Sequence, residues 1–153
     1  MLNIRTAAPI DIPAMVNLLS ELFAQEAEFS PHAPRQARAL KMILDRPETG
    51  ILFLACDGAS VVGMVSLLFT ISTAEGGRVC SLEDMVVAKP HRGRGVGRSL
   101  LTHAIDYAAA QGFLRITLLT DTTNAVAIEM YKRHGFVASA MHSMRLHLAS
   151  PNG

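Results

Sequence analysis

The sequence predicts a mixed α/β domain: a central, mostly antiparallel sheet with one parallel strand–helix–strand crossover and helices on both faces. Three observations predict it. Short apolar runs bounded by turn residues mark strands at intervals along the chain. Stripes of helical period lie between some of them. One such stripe joins two apolar runs across a span long enough for a crossover helix. The chain has 153 residues, half of them hydrophobic and 18% charged, which suits one domain, taken as 1–153, with a full core.

Leu2–Thr6 alternates (Leu2 and Ile4 against Asn3 and Arg5) and reads as a strand. Asp11 stands where a helix cap belongs. The stripe Ile12, Met15, Val16, Leu19, Leu22 and Phe23 follows it. The break Ser30-Pro31-His32-Ala33-Pro34 leads to a second helix over about Arg35–Asp45, which Pro47 and Gly50 end. Ile51–Cys56 and Val61–Ser72 are apolar runs joined by Asp57-Gly58, a hairpin signal. Gly76-Gly77 turns the chain into Arg78–Ala88, a third long strand. Beyond Pro90 the apolar residues Val96, Leu100, Leu101, Ala104, Ile105 and Ala108 make a helix that Gly112 stops. Leu114–Leu119 is the next strand, Asn124–His134 a short helix, and Phe136–Leu148 a last strand with a break near Ala140.

Composition excludes several classes. Fourteen Lys plus Arg against 13 Asp plus Glu leave a formal charge of +1, which disfavours a nucleic-acid binder. Two cysteines, Cys56 and Cys80, cannot make a disulfide scaffold and read as reduced core thiols. The N-terminus lacks a basic start followed by an apolar run, so the expectation is a cytoplasmic protein. The longest mostly apolar stretch, Val61–Ile71, is too short for a membrane helix, which needs about 20 residues. The six histidines, 32, 91, 103, 134, 142 and 147, show no metal-ligand spacing, and no metal is expected.

The segment Lys89-Pro90-His91-Arg92-Gly93-Arg94-Gly95-Val96-Gly97-Arg98 carries four basic residues and no acid. Glycines let backbone N–H groups approach a ligand, and a helix N-terminus favours an anion. Phosphate or pyrophosphate is the ligand this chemistry fits. The dinucleotide fingerprint G-x-G-x-x-G fails, because Arg98 or Leu100 stands at its third glycine, and no G-x-x-x-x-G-K-[ST] string occurs.

Arg92-x-x-Gly95-x-Gly97, after Val86-Val87-x-x-Pro90, resembles the acetyl-CoA signature of the GNAT family of N-acetyltransferases. Asn124, Ala127, Tyr131 and Gly135-Phe136 resemble a second element of that family, and the element order is similar along nearly the whole chain. The resemblance implies acetyl-CoA as cosubstrate. The N–H groups of Arg92, Gly93, Arg94, Gly95, Val96 and Gly97, with Arg98, would hold its pyrophosphate. The backbone of Met85, Val86 and Val87 would pair with the pantetheine arm. Such pairing needs an open strand edge, which the family makes by splaying two parallel strands at a bulge, a feature not visible in this sequence. Asn124 would contact the cofactor near its acyl end. The implied partner is an amine acceptor, small molecule or peptide, and a homodimer is common among such proteins.

Acetyl transfer by direct attack in a ternary complex needs a neutral amine, a donor to the oxyanion and an acid for the departing sulfur. Tyr131 matches the family tyrosine that faces the sulfur. Glu83 is the candidate base, on the strand that leads to the loop, where many relatives carry a carboxylate. Asp84 is its fallback, because strand alternation sends the two to opposite faces. Glu21, Glu26 and Glu28 could meet a cationic amine, and Met141 and Met144 are candidates for lining an acceptor pocket. The competing reading is a non-catalytic acyl-CoA-binding domain on the same fold, against which a placed Tyr131 argues.

Overall fold

The computed structural model describes residues 1–26 and 29–149. Five strands form one sheet in sequence order: β1 (Leu2–Thr6), β2 (Gly50–Asp57), β3 (Ser60–Ser72), β4 (Gly77–Val87) and β5 (Ile116–Leu118). Neighbours from β1 to β4 are antiparallel, and β4 and β5 are parallel. Helices α1 (Ile12–Gln25) and α2 (Ala33–Asp45) precede β2; α3 (Val96–Ala110) makes the crossover from β4 to β5; α4 (Ala125–Arg133) follows β5.

Two apolar clusters lie on the two faces of this sheet. Phe53, Val65, Leu67 and Leu82 face α3, meeting Leu100, Leu101 and Ala104. Leu52, Leu54, Met64 and Val86 meet Met15, Leu19 and Leu40 of α1 and α2. The period-2 pattern of β2 divides cleanly between these faces. Gly63 lets α3 approach β3 closely. A Cβ there would come within 3.0 Å of Leu100 Cδ1, 3.1 Å of the Val86 carbonyl oxygen and 3.2 Å of Val96 Cγ1.

Several sequence expectations are corrected. The second helix begins two residues before Arg35, where His32 Nδ1 accepts from Arg35 N at 3.3 Å and caps it. Asp11 adjoins α1 but spends its carboxylate elsewhere. It accepts from Arg5 twice at 2.8 Å and from Ala8 N at 2.8 Å, and these donors hold it below the usual carboxylate range. The strand expected over Phe136–Leu148 is absent. Phe136 packs on Tyr131, but Val137, Met141, Met144, Leu146 and Leu148 are 83–93% exposed. A strand needs an edge of comparable length to pair with. β5, expected as Leu114–Leu119, has only three residues in the sheet and cannot template a thirteen-residue partner.

Candidate active site

The site is built where β4 and β5 part. Their pairing covers only Cys80–Leu82 with Ile116–Leu118, while β4 continues to Val87. Beyond Leu82 the β5-side edge of β4 is therefore open along Met85, Val86 and Val87. A bulge accompanies the parting. Met64 pairs with Val86 and Ser66 with Glu83, so Asp84 and Met85 together oppose Val65. Asp84 sits at φ 54°, the left-handed region that Asp tolerates better than most residues. The bulge shifts the alternation, so Leu82 faces α3 whereas Val86, four residues on, faces α1 and α2.

That shift overturns the expectation that Glu83 and Asp84 point to opposite faces. Glu83 is paired with Ser66 and is exposed. Asp84 turns to the same side. It borders a hollow of about 360 Å³ lined by α1 and α2, and its Oδ2 lies 3.4 Å from Ser66 Oγ. Ser66 is 1% exposed and donates to the Glu83 carbonyl at 3.0 Å, which ties the bulge to β3. Burial, then the Glu83 charge, raise the Asp84 carboxyl to about 6.

Tyr131, on α4, belongs to the apolar cluster on the α3 side of the sheet. It is 9% exposed and packs edge-to-face on Phe136 with ring centroids 5.8 Å apart. Burial raises its phenol above the ordinary value, and the Glu26 carboxylate raises it further. Glu26, just past the end of α1, also raises Asp84. The Glu26 charge thus acts on both groups. Glu28 lies outside the described residues. Met141 and Met144 are exposed and do not border the hollow. Asn124 caps α4, its Oδ1 accepting from Ala127 N at 3.3 Å.

The basic loop enters α3 through Gly93 (φ 78°) and Gly95 (φ 81°). A Cβ at either glycine would meet nothing within 4 Å, so the space before the loop is open to a ligand. The first bond of α3 runs from Ser99 N to the Gly95 carbonyl at 3.0 Å, which leaves the N–H groups of Val96, Gly97 and Arg98 at the helix end. Arg94 and Arg98 are exposed beside them. Arg98 borders a second hollow with Ile4, Thr102, His103 and Asp106. A pyrophosphate fits this donor set: left-handed glycines, a helix N-terminus and two cations.

Arg92 departs from its expected place in that set. Its N–H bonds the Lys89 carbonyl at 3.3 Å in a 3-10 turn, and its Nε donates to the Val87 carbonyl at 2.9 Å. Its guanidinium lies 3.9 Å from Glu21 Oε1, and Gln25, its amide oriented oxygen-first, accepts from it at 2.7 Å. Glu21 also accepts from Lys89 N at 3.2 Å. Glu21 is therefore committed to the loop rather than to an incoming amine. The sequence carried no signal for this contact, which joins residues 68 apart.

Cys56 and Cys80 are buried free thiols, and burial pushes Cys80 up to about 11. No group of three or more metal-ligating side chains occurs among the described residues. No helix among them is long and apolar enough to cross a membrane.

The model of the acetyltransferase (GNAT) family matches residues 12–136. An uncharacterized N-acetyltransferase of Bacillus subtilis, YhfO, is 33% identical over 138 residues, 88% of this chain and 89% of its own length. The streptothricin acetyltransferase of Streptomyces lavendulae is 41% identical over 63 residues, and the match spans only 33% of that protein's length. The crystal structure of a predicted acetyltransferase with acetyl-CoA from Clostridium acetobutylicum shares the fold, with a TM-score of 0.78 at 19% identity, covering 97% of each chain.

Proposed function

The chain belongs to the acetyltransferase (GNAT) family, and from that premise we propose that it moves the acetyl group of acetyl-CoA to a primary amine of a small molecule or peptide by direct attack in a ternary complex. One observation carries the reading. The β4 edge that opens past Leu82 leads straight into the left-handed glycine loop and the N-terminus of α3.

In this reading the N–H groups from Gly93 to Arg98 hold the pyrophosphate, and Arg94 and Arg98 add charge. Met85 and Val86 pair with the pantetheine arm, and Val87 takes part once Arg92 releases its carbonyl. Asp84 takes the base role in place of Glu83, because it borders the hollow while Glu83 is exposed. A lysine-like amine with a pKa of about 10.4 arrives protonated at neutral pH and must lose that proton before it attacks. The Asp84 carboxylate, directly or through water, accepts it. The bulge leaves one of the pair Asp84 and Met85 outside the β3 ladder, and that backbone N–H is assigned to the oxyanion. The C–N bond forms and the nitrogen sheds its second proton, the C–S bond breaks, Tyr131 delivers a proton to the sulfur, and the proton shed by nitrogen returns to the phenol through water. The raised phenol is neutral before transfer, as an acid must be. Asn124 holds the start of α4, on which Tyr131 rides.

A cytoplasmic location follows from this reading, since acetyl-CoA is required there and the two buried thiols suit a reducing compartment. The test is a panel of primary amines incubated with acetyl-CoA and read as free thiol release, with the acetylated amine checked by mass. Acceptor-dependent thiol release supports the enzyme. Saturable CoA binding with no release for any amine supports the non-catalytic alternative and overturns the proposal.

A further inference from the structure

The hollow beside Asp84 has a polarity that the acetyl-transfer chemistry does not require. Its sheet end carries the half-buried Asp84. Its α2 side is bordered by Arg35 and Arg38, one helical turn apart and so on one helix face. Arg35 is already engaged within the protein. Arg38 stands exposed at the rim. The rest of the lining is mostly apolar, with Leu19, Phe23 and Ile43 among it, and one further polar side chain, Gln36. The volume, about 360 Å³, falls at the lower end for small-molecule sites.

We propose that the acceptor is a small zwitterionic amine, one that carries a carboxylate or other anionic group separated from its amine by an apolar body. Its amine lies at Asp84, its apolar middle against Leu19 and Phe23, and its anion at Arg38. The inference rests on the acetyltransferase reading and goes beyond it by naming the acceptor's charge pattern. A plain alkylamine would satisfy Asp84 and the walls but leave Arg38 without a partner. A diamine would carry its second cation toward two arginines, where like charges oppose binding. Glu83 and Glu26 both act on Asp84 and strengthen the preference for a cation at that end alone. A guanidinium–carboxylate contact at a partly exposed rim supplies specificity through its planar, two-pronged geometry.

The test compares three acceptors of one chain length: 6-aminohexanoate, hexylamine and 1,6-diaminohexane, each with saturating acetyl-CoA and read as thiol release. The expected order of kcat/KM is aminohexanoate first, about tenfold above hexylamine, with the diamine last. Raising salt should narrow the gap, because the rim charge is screened. Arg38→Gln, a change on an exposed helix surface, should bring the aminohexanoate-to-hexylamine ratio toward one without moving the KM for acetyl-CoA or the melting temperature. Equal rates for aminohexanoate and hexylamine, a preference for the diamine, or an unchanged ratio in Arg38→Gln would overturn the inference while the acetyltransferase reading stands. Absence of thiol release from every amine would overturn both.

Discussion

In the proposed reaction, Asp84 decides the chemistry at the scale of single residues. Its carboxyl is raised to about 6, so activity should rise with pH through that value as the base ionises. Asp84→Asn keeps a residue that tolerates the φ of 54° and removes the base. It should abolish the limb near pH 6 and lower kcat by about 10²- to 10⁴-fold. Stability gives an independent check. A carboxyl whose folded pKa exceeds its unfolded value binds its proton more tightly when folded. Wild-type stability should therefore fall as pH rises from about 4 to about 6, and melting curves of Asp84→Asn should lack that fall. Tyr131→Phe keeps the ring packed on Phe136 and deletes one donor. Turnover should drop by about 10²-fold, the low end of the 10²- to 10⁴-fold range for losing one general acid, since a thiolate leaves readily. Its melting curve and CoA affinity should barely move; wild-type turnover in this variant would rule out the acid role. Tyr131 was legible as a residue, because its spacing from Asn124 and Gly135 is fixed in the chain. The relation of Glu83 to Asp84 was not, since the expectation assumed a regular strand and the bulge leaves no mark in the hydrophobic pattern.

At the scale of elements, the end of α1 and the glycine loop are one working unit. Glu21 accepts from Lys89 N and faces Arg92, and both Glu21 and Arg92 are more than a third exposed. Exposed ion pairs contribute about 0–1 kcal/mol, so Glu21→Ala should raise the KM for acetyl-CoA by only about 2- to 5-fold. kcat and the acceptor KM should stay near wild type. A rise in the acceptor KM instead would return Glu21 to the amine-binding role that its charge suggested in the sequence. The strands β1 to β4 and the helices α1, α3 and α4 were readable because each has a periodic stripe or a bounded apolar run. The failure at Phe136–Leu148 has a plain cause. Alternation records which side chains could share a face, while a strand also requires a free edge, and β5 offers only three residues.

For the whole molecule, the order of elements and the sheet with its crossover were legible because local patterns and turn residues agree along the chain. The splay between β4 and β5 was expected from the resemblance alone, since it depends on where two distant strands stop pairing. The same geometry makes a ligand-level prediction. A thermal-shift panel should show CoA and acetyl-CoA stabilising the protein well above NAD, NADP or ATP, whose loop motifs the chain lacks. A larger shift with NAD than with CoA would contradict the loop assignment.

Calorimetric titration of acetyl-CoA into the wild-type chain and Gly95→Asp tests the account most directly. Gly95 has a φ of 81° and open space before it, so the variant puts a strained, bulky, negative side chain where the pyrophosphate belongs. Saturable binding at one site per wild-type chain is expected, with a loss of at least tenfold in affinity in the variant and circular dichroism showing both folded. Equal affinity in the two folded proteins, or no binding by the wild type, would contradict the account.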